Sequence, residues 1–294
     1  MGTSQSSAGP GGGVPMVPPW TPPPPPQSPP PPQDGERDGG DDGGDGRQPP
    51  ANPQAQPAAA PPAVARPVPL APSGRFGGAR RSLGDFAKTG DGRAMRRGLG
   101  RYVSGGYGGA DTATRRFGGT AATAGALDAA LGGAGAGEAA GEGRLDPALA
   151  SGRSVEEVMD AVVEAVRPID GTQDAEAERA SIRDALSELL TRFPEADLLN
   201  LEPEQRAYVI ERFTAIDVFR RVDLDLGKTL RDKAPSAITA LSRLKQVKDY
   251  VKETVAAAFR KMREAGRSVT SGRVNQIVRD ALRETFEVFE GYSE

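Results

Sequence analysis

The chain has 294 residues, and its 37 basic and 40 acidic side chains leave a net charge of only −3. So weak a whole-molecule field gives no general attraction for nucleic acid or an acidic membrane. It contains no histidine and no cysteine, which excludes histidine-based triads, zincins, thiolate catalysis, cysteine zinc sites, disulfides and deaminase centres. Carboxylate pairs remain as acid–base candidates, but the expectation is a protein that is not an enzyme and carries no metal or cofactor. The missing cysteines also suit a reducing compartment.

Residues 1–75 hold 22 of the 27 prolines, including runs at Pro22–Pro26 and Pro29–Pro32, followed by the acidic glycine-rich stretch DGERDGGDDGGDG. Such a segment has too little apolar surface to offset its ordering entropy and reads as a disordered tail with local polyproline II. It begins MGTSQSS, which fits the loose myristoylation pattern through Gly2 and Ser6. The only tryptophan, Trp20, sits in the island VPMVPPW. It is either a chance aromatic in a linker or a docking motif whose indole fills a partner's pocket.

Residues 76–131 change character. They carry a repeat, R-R-x-L-G-x-aromatic, seen as Arg80-Arg81-Ser82-Leu83-Gly84-Asp85-Phe86 and Arg96-Arg97-Gly98-Leu99-Gly100-Arg101-Tyr102. A third pair, Arg115-Arg116, precedes Phe117. Leucine and aromatic three apart share one helical face, a turn after the arginines. The spacing predicts two short basic helical units joined by TGDG, weakened by their glycines and ordered only on a partner or on the chain's own C-terminal domain. Arginines interleaved with aromatics suit single-stranded nucleic acid, and they equally suit a protein-docking or intramolecular surface.

Residues 132–153 read as a Gly/Ala hinge, and 154–294 as an all-α bundle of about five helices. Ser154-Val155-Glu156-Glu157 is a capping box. Val155, Val158, Met159, Val162, Val163 and Val166 follow it at helical spacing. A second helix runs from about Ala175 to Phe193, with Ile182, Leu186, Leu189, Leu190 and Phe193 on one face. A third starts at Pro203 and shows Tyr208, Val209, Phe213, Ile216 and Phe219, with its end blurred through VDLDLGKTLRDKAP. The fourth, about Ser236 to Ala265, predicts a stripe through Ile238, Leu241, Leu244, Val247, Val251, Val255, Phe259 and Met262. The last spans about Ser271 to Phe289, with Val274, Ile277, Val278, Leu282, Phe286 and Phe289.

Neither this bundle nor the rest of the chain offers a convincing catalytic motif. Glu156/Glu157, Asp170/Asp174 and Asp223/Asp225 are read as solvated or capping carboxylates. Gly227-Lys228-Thr229 ends like a P-loop, but Val222 stands where its first glycine belongs and no strand precedes it. Ala121–Ala140, the nearest thing to an apolar span, is mostly Ala and Gly and contains Asp128 and Glu138. With no charged start leading into an apolar core, the expectation is a cytoplasmic protein with no membrane partner.

Taken together, MGTSQSS, GPGGG, VPPW, RRSLGDF, RRGLGRY, TATRRFGG, RPIDGTQDAEAER and LDLGKTLRDKAPSAITALSRLKQVKDYV resemble the QatB family of the bacterial Qat anti-phage defence system. The resemblance runs over nearly the whole chain except the proline-rich linker and the hinge. It implies a partner protein beside an ATPase, a QueC-like enzyme and a TatD-like nuclease. QueC enzymes activate a 7-deazaguanine carboxylate with ATP, and a QueC-like enzyme that passed it to a protein amine would need an acceptor. Gly2, freed by removal of Met1, fits that role, with Thr3, Ser4, Gln5, Ser6 and Ser7 threading the active site and Trp20 holding the chain at the enzyme. A myristoylated Gly2 fits poorly, because the acyltransferase is eukaryotic and the resemblance is bacterial. The alternative role is a nucleic-acid-binding adaptor for the nuclease through Arg80, Arg81, Arg96, Arg97, Arg115 and Arg116.

Overall fold

Four of the long C-terminal helices begin on residues suited to start them. In the computed structural model, which describes residues 74–132, 154–267, 269 and 273–293, Ser154 and Glu157 close a reciprocal capping box ahead of α5 (Val155–Val166). The Thr172 hydroxyl accepts from the Ala175 amide at the start of α6 (Gln173–Arg192). Pro203 opens α7 (Pro203–Val222), and Ser236 caps α9 (Ala237–Glu264). The last helix, α10, covers Val274–Glu290. Between α7 and α9, the blurred stretch resolves into a π-helical turn, Asp223–Gly227, and the short helix α8 (Lys228–Lys233).

The basic repeat segment is helical too: α1 (Gly77–Thr89), α2 (Gly92–Arg101), a π-helical turn Tyr102–Tyr107, α3 (Ala110–Arg116) and α4 (Gly118–Leu131). No strand occurs among the described residues. The TGDG joint is built from specific local bonds. Gly90 takes a left-handed φ of 79° to end α1. Asp91 then accepts the amides of Arg93 and Ala94 to start α2.

All described residues fall in the unit Pro67–Glu294, and α1–α4 share one core with α5–α10. Helix α1 packs on α8, α2 and α3 on α10, and α4 on both α7 and α10. Leu83, Phe86, Leu99, Tyr102, Phe117 and Leu127 are buried together with Val209, Phe213, Val247, Val251, Phe286 and Phe289. The repeat's leucine and aromatic therefore point inward as their spacing predicts. Its glycines allow close approach. A Cβ at Gly98 would lie 2.6 Å from Leu83 Cγ, and one at Gly100 would lie 2.6 Å from the Ser293 amide nitrogen.

One stripe differs from expectation. Buried positions on α9 run Ala240, Leu244, Val247, Val251, Val255, Phe259 and Met262. Ile238 and Leu241 in the first turns lie off this line and are 82% and 68% exposed. Val155 is likewise exposed at the start of α5. In each case the helix begins before its neighbours cover it. No described helix is long and apolar enough to cross a membrane.

Candidate interaction site

The two arginine pairs on the hairpin are each split by the helix on which they stand. Consecutive residues are about 100° apart around a helix, so the two members of each pair face different ways, with Arg80 exposed like Arg81 and Arg96 half-buried. Arg80 donates from Nη2 to the Asp225 carbonyl at 3.5 Å. The Arg96 guanidinium lies 5.6 Å from the Tyr292 ring centroid. Arg81 and Arg97 are exposed. On α2, Arg97 continues a line with Arg93 and Arg101 at four-residue steps. Arg93 is exposed, and Arg101 is half-buried and donates to Ser82 Oγ at 3.0 Å.

Arg115 and Arg116 are exposed on α3, which packs on α10 and the first π turn. Arg115 donates to Thr112 Oγ1 at 2.8 Å. The six arginines singled out from sequence thus do not converge on one point. Among the described residues, none of Arg80, Arg81, Lys88, Arg93, Arg96, Arg97, Arg101, Arg115 and Arg116 forms an ion pair. Further along the chain, by contrast, Arg167, Arg179, Arg206, Arg221, Lys252 and Lys261 are each paired. Gly2, Thr3, Ser4, Gln5, Ser6 and Trp20 lie outside the described residues.

Two polar clusters lie under this surface. The two π turns meet where Tyr102 and Tyr107 donate to Asp225 Oδ2 at 2.8 and 3.3 Å. Burial pushes the Tyr102 hydroxyl well above its ordinary range, and the nearby Tyr107 and Asp225 push the same way. It is therefore a hydrogen-bond donor and not a nucleophile. Phe76, Tyr107 and Tyr102 pack around this contact, with ring centroids 5.1 to 5.7 Å apart.

The second cluster ties α4 to α6 and α7. Asp217 is fully buried and accepts from Thr120 Oγ1 at 2.6 Å, with Arg221 Nε 3.6 Å away. Glu178, also buried, accepts from Thr123 at 3.0 Å and pairs with Arg221 at 3.0 Å and Arg167 at 2.7 Å. Burial lifts the Asp217 carboxyl to about 6 against the opposing pull of Arg221 and the Thr120 bond. These groups are occupied with one another, an arrangement that holds helices together and presents no reacting atom to solvent.

Neither cluster is apparent from sequence. Asp217 stands inside the apolar run Phe213-Thr214-Ala215-Ile216-Asp217-Val218, and that anomaly is its one signal. The other carboxylates have local duties: Asp170 accepts from the Thr172 amide and hydroxyl, and Asp223 is paired with Arg231. Lys228, the lysine of the GKT stretch, pairs with Asp232. Among the described residues no group of three or more acidic side chains could hold a metal ion.

No curated protein and no solved structure matches the chain. A family model does match: that of QatB, the Qat anti-phage system associated protein, over residues 108–289, from the end of the first π turn to nearly the end of α10. The chain belongs to the QatB family and so to the Qat anti-phage defence system.

Proposed function

We propose that this protein serves the Qat system as a partner and substrate and not as an enzyme. Its helical domain docks the QueC-like enzyme and the ATPase, and its Gly2 amine accepts the group that the QueC-like enzyme activates. The observation that carries the docking half is the pair Ile238 and Leu241, three residues apart on α9 and 82% and 68% exposed. Two large aliphatic side chains held in water on one helix face favour a covering partner. Chemistry supports the acceptor half. An α-amine titrates near pH 8, so part of it is neutral and nucleophilic at neutral pH. Glycine adds no side chain at the attacking nitrogen.

The experiment is N-terminal peptide mass spectrometry after co-expression with the QueC-like protein. The expected result is a mass increase on the peptide that begins at Gly2, absent when the QueC-like protein is omitted. An unmodified peptide under co-expression contradicts the acceptor role.

A further inference from the structure

We propose that the outer face of α2, together with Tyr292 beside it, binds single-stranded nucleic acid. Helix α2 presents Arg93 and Arg97 outward, four residues apart, while Arg101 at the next such step is half-buried and donates to Ser82 Oγ. At 1.5 Å of rise per residue, successive guanidinium groups leave the helix about 6 Å apart along its axis. This forms two cations in series and not a single point charge. Arginine is suited to such a face, since its planar fork takes phosphate oxygens in pairs.

Three further observations fit a phosphate chain. Among the described residues neither Arg93 nor Arg97 is neutralised by an acid, although most cations on the later helices are. The nearest carboxylate on the same helix, Asp91, faces its own amides as the N-cap. Finally, the line is flanked by an aromatic. Gly100 approaches so closely that the end of α10 lies against α2. This contact places Tyr292, 40% exposed, beside the line with the Arg96 guanidinium against its ring. An exposed ring next to a cationic track is the pairing that holds single strands, the cations taking phosphates and the ring taking a base. A base can stack on such a ring, which a carboxylate cannot do.

The α2 line also changes the residue set. Arg93 and Tyr292 join Arg97, while Arg80 and Arg101 donate to the Asp225 carbonyl and Ser82 Oγ, and Arg115 and Arg116 stand on α3. Binding here needs none of the Qat partner proteins, so its failure leaves the Gly2 reading untouched.

The test is fluorescence anisotropy of a labelled oligothymidylate with the full chain across a salt series. Binding is expected at low salt and weakens as salt rises. In R93Q/R97Q the log–log salt slope should fall by about 1.4, at roughly 0.7 per lost phosphate contact. Y292A should weaken binding about fivefold or more at every salt concentration. Matching far-ultraviolet circular dichroism and thermal midpoints establish that the variants are folded. No anisotropy change at low salt overturns the proposal, as does binding by R93Q/R97Q equal to wild type. Competition by polyglutamate as effective as that by unlabelled oligothymidylate also overturns it, pointing to an acidic protein ligand.

Discussion

Helices α1–α4 and α5–α10 share one core but reach it by different chemistry. The later helices carry amphipathic stripes of Val, Ile, Leu and Phe and pair many of their charges within the fold. The earlier ones are rich in Gly, Ala and Arg. They pack by close backbone approach at Gly98 and Gly100 and by a few large aromatics, and they leave their cations unpaired among the described residues. A segment that looks too glycine-rich to order alone can thus fold on a stable partner within its own chain. Among the described residues its cations form no ion pairs, and Arg81, Arg93 and Arg97 are exposed.

The sharpest way to break this comparison is to remove what joins the two regions. Phe117 is fully buried, with its ring 4.9 Å from Phe286 and the Arg221 guanidinium 5.2 Å from its centroid. Phe117→Ala should cost about 3–5 kcal/mol. Because the core is shared, chemical denaturation followed by circular dichroism should show one shifted transition and not the separate loss of α1–α4. Arg221→Met should be nearly as severe, about 3 kcal/mol or more, since it leaves buried Asp217 without its cation and Glu178 with Arg167 alone.

Next in size is Gly100→Ala, which drives a Cβ into the Ser293 and Tyr292 backbone and should cost about 1–3 kcal/mol. Gly105→Ala has open space and should stay within about 0.5 kcal/mol. Equal effects at the two glycines would remove close approach as the organising feature of α1–α4.

The link through Asp217 also predicts a pH dependence. Its folded pKa of about 6 lies above the ordinary carboxylate value of 3.8. The folded state therefore holds this proton more tightly than the unfolded chain. The contribution is fully present below pH 4 and is lost as pH rises through about 6. Asp217→Asn should flatten that part of the stability profile, by about 1–3 kcal/mol across the window, as read by denaturant midpoints at a series of pH values. The smallest expected effect is Arg97→Gln, within about 0.5 kcal/mol, because its guanidinium makes no ion pair among the described residues.

The later helices were the more legible region because their start signals and their stripes agree. The capping box at Ser154, Pro203 at the start of α7 and the run Val274, Ile277, Val278, Leu282, Phe286, Phe289 on α10 each specify one element and one face. Ile238 and Leu241 escaped because periodicity marks an apolar face but not whether another helix reaches it. In α1–α2 the Leu83/Phe86 and Leu99/Tyr102 spacing predicted the inward face. Helix α4, with its Ala and Gly, has almost no amphipathic signal and is held by buried contacts that sequence does not display: Thr120 to Asp217 and Thr123 to Glu178. The α2 arginines needed the helix phase, since the doubled arginines draw attention to pairs while the structure turns Arg93 and Arg97 outward together.

The central claim, a helical platform that docks its Qat partners, is tested most directly by affinity capture of the QueC-like enzyme and the ATPase with the intact chain and with I238D/L241D. The account predicts that wild type retains both partners, and that the double variant loses them with its thermal midpoint unchanged. Capture by the variant equal to wild type, or no capture by wild type, contradicts it.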